Sequence, residues 1–125
     1  MVLYDVQDLA QADFRRLVAT VSAQGTTTTI ALHGEWDLAE RSSMLETIED
    51  VLASSPETVV LDLSGLSFID SSGVHGIVGL QRRSEQQGFR LVIIPGARAI
   101  QRPFDVLGLT DSLPFTSGEP DHEPG

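Results

Sequence analysis

The spacing of hydrophobic residues changes several times along the chain, and each change marks an element. "RRLVATVS", Arg15 to Ser22, alternates as a strand with Leu17, Ala19 and Val21 on one face, while Phe14, Leu17, Val18 and Val21 also fit helical spacing. "AQG" then reads as a hairpin turn and "TTTTIALHG" as a β-branched strand. Past "GEWD", the residues Leu38, Met44, Leu45, Ile48, Val51 and Leu52 recur near a 3.6 period, which predicts an amphipathic helix ending before Pro56. "TVVLDLSGLSFI" is a strand, nearly all apolar until Asp62, as expected of a strand covered on both faces. A second helix, led by Val74, Ile77, Val78 and Gln81, should stop near Gly88, and "FRLVIIP" is the next strand. "ARAIQRPFDVLGL" predicts a third helix, with Pro103 tolerable only near its start or at a kink. "DSLPF" predicts a short edge strand. Residues 1–14 read as an arm or short helix, and 116–125, "TSGEPDHEPG", as a disordered acidic tail.

Strand, strand, helix, strand, helix, strand, helix is an α/β order, with the later strands parallel and joined by right-handed crossovers. In such sheets function gathers at the carboxyl ends of the strands. "GEWD" and "DSSG" both fall there, after strands expected to be near neighbours.

Composition narrows the classes. A length of 125 residues gives one domain, and a mean hydropathy of +0.03 suits an ordinary globule. Apolar runs such as "LVIIP" are too short for a bilayer, and the N-terminus shows no secretory signal, so the expected location is the cytoplasm, with no membrane partner. Cysteine is absent, which removes disulfides and thiolate chemistry. The net charge is −10 and all eight cations are arginine, a balance that disfavours nucleic-acid binding. Seven acids against Arg41 alone lie between Glu35 and Glu57, whereas five arginines fall between Arg82 and Arg102. That unevenness is either solvated surface or a match for a basic protein partner.

Catalytic patterns are missing. Ser67 and Ser71 lack the glycines of a G-x-S-x-G elbow. His33, His75 and His122 are far apart with no metal-ligand spacing, and a phosphate-binding loop could not be completed without lysine. The expectation is a binding protein with no enzymatic activity, catalytic residue, metal or cofactor.

"SFIDSSGVHG", Ser67 to Gly76, joins a strand to a helix through an acid, two hydroxyls and a glycine. A hydroxyl at a helix start can cap the helix, or it can accept a phosphate, because unpaired N–H groups and the dipole there favour negative charge. "DLSGLSFIDSSGV", "LHGEWDLA" and the late "FDVLGLTDSLPF", in that order, resemble the STAS domain, the fold of anti-sigma factor antagonists, from about Arg15 to Phe115. The resemblance implies a single mixed, mostly parallel sheet of four to five strands packed with three to four helices. It also implies a partner switch. The unphosphorylated antagonist captures an anti-sigma factor that is also a serine kinase, freeing a sigma factor, and phosphorylation of the first serine, Ser71 here, ends the capture. A serine phosphatase is a further candidate partner, and the expected state is a monomer or weak dimer.

Around Ser71 the partner-facing candidates are Trp36, Asp37, Asp70, Ser72, Gly73 and His75. Trp36 is either core or an exposed anchor. Asp37 is either a partner contact or a helix cap, and Ser72 a cap or packed neighbour. Asp70 could orient a hydroxyl, and Gly73 could leave room for another chain. His75 is either an ordinary surface histidine or a cation one turn from the phosphate. A non-switching STAS scaffold of the stressosome type, or a ligand-binding module, is the alternative function.

Overall fold

The computed structural model describes residues 2–3 and 16–116; the expected arm over 4–14 and the tail from 117 onward lie outside the described residues. Strands β1 (Val2–Leu3), β2 (Val18–Gln24), β3 (Thr27–Trp36), β4 (Thr58–Ile69) and β5 (Arg90–Ile94) form one sheet in the order β1-β2-β3-β4-β5. Only β2 and β3 are antiparallel; the other three pairings are parallel. Gly25, with φ of 63°, takes the first of the two hairpin positions between them, where a type II′ turn needs positive φ. The helices are α1 (Arg41–Leu52), α2 (Ser71–Gln87) and α3 (Arg98–Val106), and a 3₁₀ turn over Leu38–Glu40 leads into α1.

The strands β3, β4 and β5 advance in one direction across the sheet, so crossovers of one hand put their helices on the same face. One continuous core confirms this: Ile30, Leu32, Leu61 and Ile93 of the sheet join Met44, Ile48, Val74, Ile77, Ile100 and Phe104 of the helices. The opposite sheet face is only partly covered. In β4, Val59, Leu61 and Leu63 are buried while Val60 and Asp62 are half-exposed, so the expectation of a strand covered on both faces was wrong. Its apolar run reflects β propensity on the second face, not double burial. Val21 also departs from the predicted face: it is 41% exposed, whereas Leu17 and Ala19 are in the core.

In α1, Met44, Ile48 and Val51 are buried, but Leu45 is 50% exposed, and Leu38 in the preceding 3₁₀ turn is 64% exposed. The helical period had placed those two on the inner stripe. Helix α2 ends as its sequence predicts, on Gly88 at φ 82°, whose N–H donates to the Ser84 carbonyl. Pro103 is the sixth residue of α3, past the helix start, the first of the two placements expected for it. The carbonyl it cannot serve belongs to Ala99, an exposed residue within reach of water. The predicted final edge strand is reduced to a single parallel bridge between Ile93 and Phe115. There Ile93 N donates to the Pro114 carbonyl and Thr116 N to the Ile93 carbonyl. The Phe115 ring meets Phe104 edge-on at 5.3 Å.

Candidate functional site

The last residues of β3 and β4, Trp36 and Ile69, are register partners, so the two chains leave the sheet side by side at its carboxyl edge. Each then presents an aspartate. Asp37 caps the 3₁₀ turn, its Oδ1 accepting from Ala39 N at 3.0 Å. Asp70 caps α2, its Oδ1 accepting from Ser72 N at 2.9 Å and Gly73 N at 3.2 Å. Asp70 reaches further than a cap requires. Its Oδ2 accepts from Leu38 N at 3.2 Å, and its own N–H donates to the Trp36 carbonyl at 3.1 Å. One residue therefore ties the two loops together.

Burial pushes the Asp70 carboxyl up, but the Ser72 hydroxyl and the amides of Gly73, Ser72 and Leu38 together outweigh it and hold the group below its ordinary value. The carboxylate is accordingly committed to structure. Its oxygens serve Ser72, Gly73 and Leu38.

The two serines separate cleanly. Ser72 is half-buried, and its hydroxyl donates to Asp70 Oδ1 at 2.6 Å. Ser71 is the first residue of α2 and is exposed. Neither serine is the cap. Because Asp70 already takes the amides of Ser72 and Gly73, and Val74 N bonds the Asp70 carbonyl, the helix start offers an added anion far less than the sequence suggested.

Trp36 is 2% exposed, which corrects its placement among partner contacts: it is core, under α2. Gly73 is also buried. A Cβ there would come within 2.6 Å of Ile69 Cγ1 and 3.2 Å of Trp36 Cδ2, so its room is used by the chain's own packing and not by a visiting chain. Gly76 serves the same indole, since a Cβ would sit 2.9 Å from Trp36 Cζ2. Gly79, the third of the series, faces open space. His75 is exposed, four residues and hence one turn beyond Ser71 on the same side of α2.

The structure adds residues that sequence reasoning missed. Leu38 stands exposed between the two aspartates, and Phe68, 45% exposed, lies two residues before Asp70. Between α1 and α2 runs a groove of about 360 Å³ with Trp36, Met44 and Leu80 at its base. Arg83 spans the two helices by a bidentate pair with Glu49, at 2.6 and 3.2 Å. The five arginines counted after residue 81 gave a hint of a cationic α2, but nothing in the periodicity showed which helix face they occupy.

Comparison with known proteins is consistent with this geometry. Residues 19–115 match the family model described as "Mlab, STAS domain". The anti-sigma-F factor antagonist RsfB of Mycobacterium tuberculosis is 26% identical over 93 residues, 74% of this chain and 75% of that protein. An anti-sigma factor antagonist from Mycobacterium paratuberculosis superposes with a TM-score of 0.73 at 23% identity, over 88% of this chain and 93% of that one. The Bacillus cell fate determinant SpoIIAA, solved in its phosphorylated form, gives 0.62 at 23% identity, over 82% and 94%. The family-model match over most of the chain leads to one conclusion: the chain belongs to the STAS domain family.

Proposed function

We propose that this chain is an anti-sigma factor antagonist that holds an anti-sigma factor with serine kinase activity while Ser71 is unmodified and releases it once Ser71 carries a phosphate. The observation that carries this reading is the contrast within the pair: Ser71 is open to another polypeptide, whereas Ser72 is bonded to a buried-edge carboxylate. A relative named as an anti-sigma-F factor antagonist, and a fold neighbour solved in a phosphorylated form, support it. In the transfer step the Ser71 oxygen bonds to the γ-phosphorus of ATP, the bond to ADP breaks, and the hydroxyl proton passes to a base on the kinase. The switch operates in the cytoplasm, with no cofactor.

The surface that docks the kinase comprises neighbours of Ser71: the half-buried Asp37 and the exposed Leu38 and His75. Asp70, Ser72, Gly73 and Trp36 support that surface from below. Release follows from electrostatics. The amides of α2 are already occupied by Asp70, so a dianion at Ser71 finds little compensation in its own helix and adds to the charges of Asp70 and Asp37. Trapped in an interface, an uncompensated charge costs several kcal/mol, on the order of a hundredfold in affinity or more. The fold is spared because the oxygen lies outside the core.

The test is incubation with the purified anti-sigma kinase of the same cell and ATP, followed by mass spectrometry of the DSSG peptide. One phosphate on Ser71, absent in Ser71→Ala and present in Ser72→Ala, supports the assignment. Full labelling of Ser71→Ala refutes it.

A further inference from the structure

The groove between α1 and α2 has the makings of a ligand site. Its apolar lining is the exposed Leu45 beside the nearly buried Trp36, Met44 and Leu80, and its rim carries Arg41, His75 and Arg83. Among the described residues no carboxylate lines it, although acids outnumber arginines 18 to 8 in the chain. Arg83 is held in place by Glu49, whereas Arg41 has no such pair among the described residues. The volume, about 360 Å³, lies at the lower end of the range for small-molecule pockets, roughly 300–1,000 Å³.

Gly79 adds an independent argument. Gly73 and Gly76 are small because Trp36 and Ile69 press on them, but a Cβ at Gly79 would meet nothing within 4 Å. A mid-helix glycine weakens its helix, so one with no packing reason serves to keep the groove open. The rim charge selects the occupant's polarity and the apolar lining its body.

We infer that this groove binds a small free molecule with an apolar body and a single anionic group, the body lying in the open space beside Leu45 and Gly79 and the anion facing Arg41 and His75. The inference does not depend on phosphorylation of Ser71.

The experiment titrates the full chain with 1-anilinonaphthalene-8-sulfonate and follows energy transfer from Trp36, the only tryptophan. Amide shifts of Gly76 and Gly79 locate the site. One saturable site is expected, with a Kd on the order of tens of micromolar. Gly79→Leu, whose side chain enters the open space, should weaken binding by about tenfold or more while thermal unfolding stays cooperative. Arg41→Gln should remove the preference for the sulfonate over its uncharged parent, N-phenylnaphthylamine. Non-saturable binding, equal binding by Gly79→Leu, or equal affinity of the wild type for the charged and uncharged probes overturns the inference. So would affinity confined to an apolar side chain of a docked protein.

Discussion

Replacing Asp70 by alanine should unfasten the edge that carries Ser71. The change removes the α2 cap, a loss of about 1 kcal/mol. It also deprives Leu38 N and the Ser72 hydroxyl of their acceptor, about 0.5–1.5 kcal/mol each. The sum, roughly 2–4 kcal/mol, corresponds to a melting temperature lower by roughly 8–16 °C for a domain of this size. Asp70→Asn is the sharper variant. It keeps an oxygen for the α2 amides but turns an NH₂ toward Leu38 N, so about 1 kcal/mol should still be lost.

The two substitutions also differ from wild type in acid. Burial raises the Asp70 carboxyl, the four hydrogen bonds lower it by more, and the folded value therefore lies under the unfolded one, about 3.9. A depressed carboxyl contributes stability that is complete above the unfolded value and is lost as pH falls through the folded value. Urea unfolding by circular dichroism from pH 7 down to about 2 should therefore show an acid slope in wild type that is shallower in Asp70→Asn. If Asp70→Ala unfolds within about 0.5 kcal/mol of wild type and the acid slopes coincide, the carboxylate does not join the two loops in solution.

Gly73→Ala and Gly76→Ala should each cost about 1–3 kcal/mol by crowding Ile69 and Trp36, whereas Gly79→Ala should gain about 0.5–1 kcal/mol; chemical unfolding of the three ranks them. Ser71→Glu should leave circular dichroism and melting almost unchanged while weakening the anti-sigma complex by on the order of a hundredfold in calorimetry, and a large loss of helix would instead make the switch conformational. The Glu49 carboxyl is held below its ordinary value chiefly by its hydrogen bond from Arg83, so Arg83→Met should let it titrate in the ordinary glutamate range by carbon-detected NMR. An unchanged titration would mean that the pair does not persist in water.

The element order was legible because each strand and helix is bracketed by turn residues, and because the period changes at Gly25, Asp37, Asp70 and Gly88. Edges of the apolar stripes were not. Val21, Leu38 and Leu45 repeat at the right interval, yet an interval does not reveal where the neighbouring element stops covering it. In "DSSG" the first three residues are all good cap formers, so composition alone could not say which one takes the cap. The backbone gives it to Asp70, and this single outcome exposes Ser71, secures Ser72 and occupies the amides of α2. Trp36 was undecided for a similar reason. An indole suits both a core and a docking face, and only the glycines packed over it, Gly73 and Gly76, reveal which it is.

The short return of the chain along β5 has a consequence for colloidal behaviour. A parallel sheet that ended at β5 would present Ile93 as an open ladder rung, a template onto which a second copy could zip. The segment Pro114–Thr116 fills both rungs of Ile93, and Phe115 is pinned by Phe104. Domain boundaries drawn just before residue 114 would therefore strip Phe115 from the side of the core and uncork that margin. Such a fragment should associate in proportion to its concentration, while a chain carried through residue 116 stays dispersed.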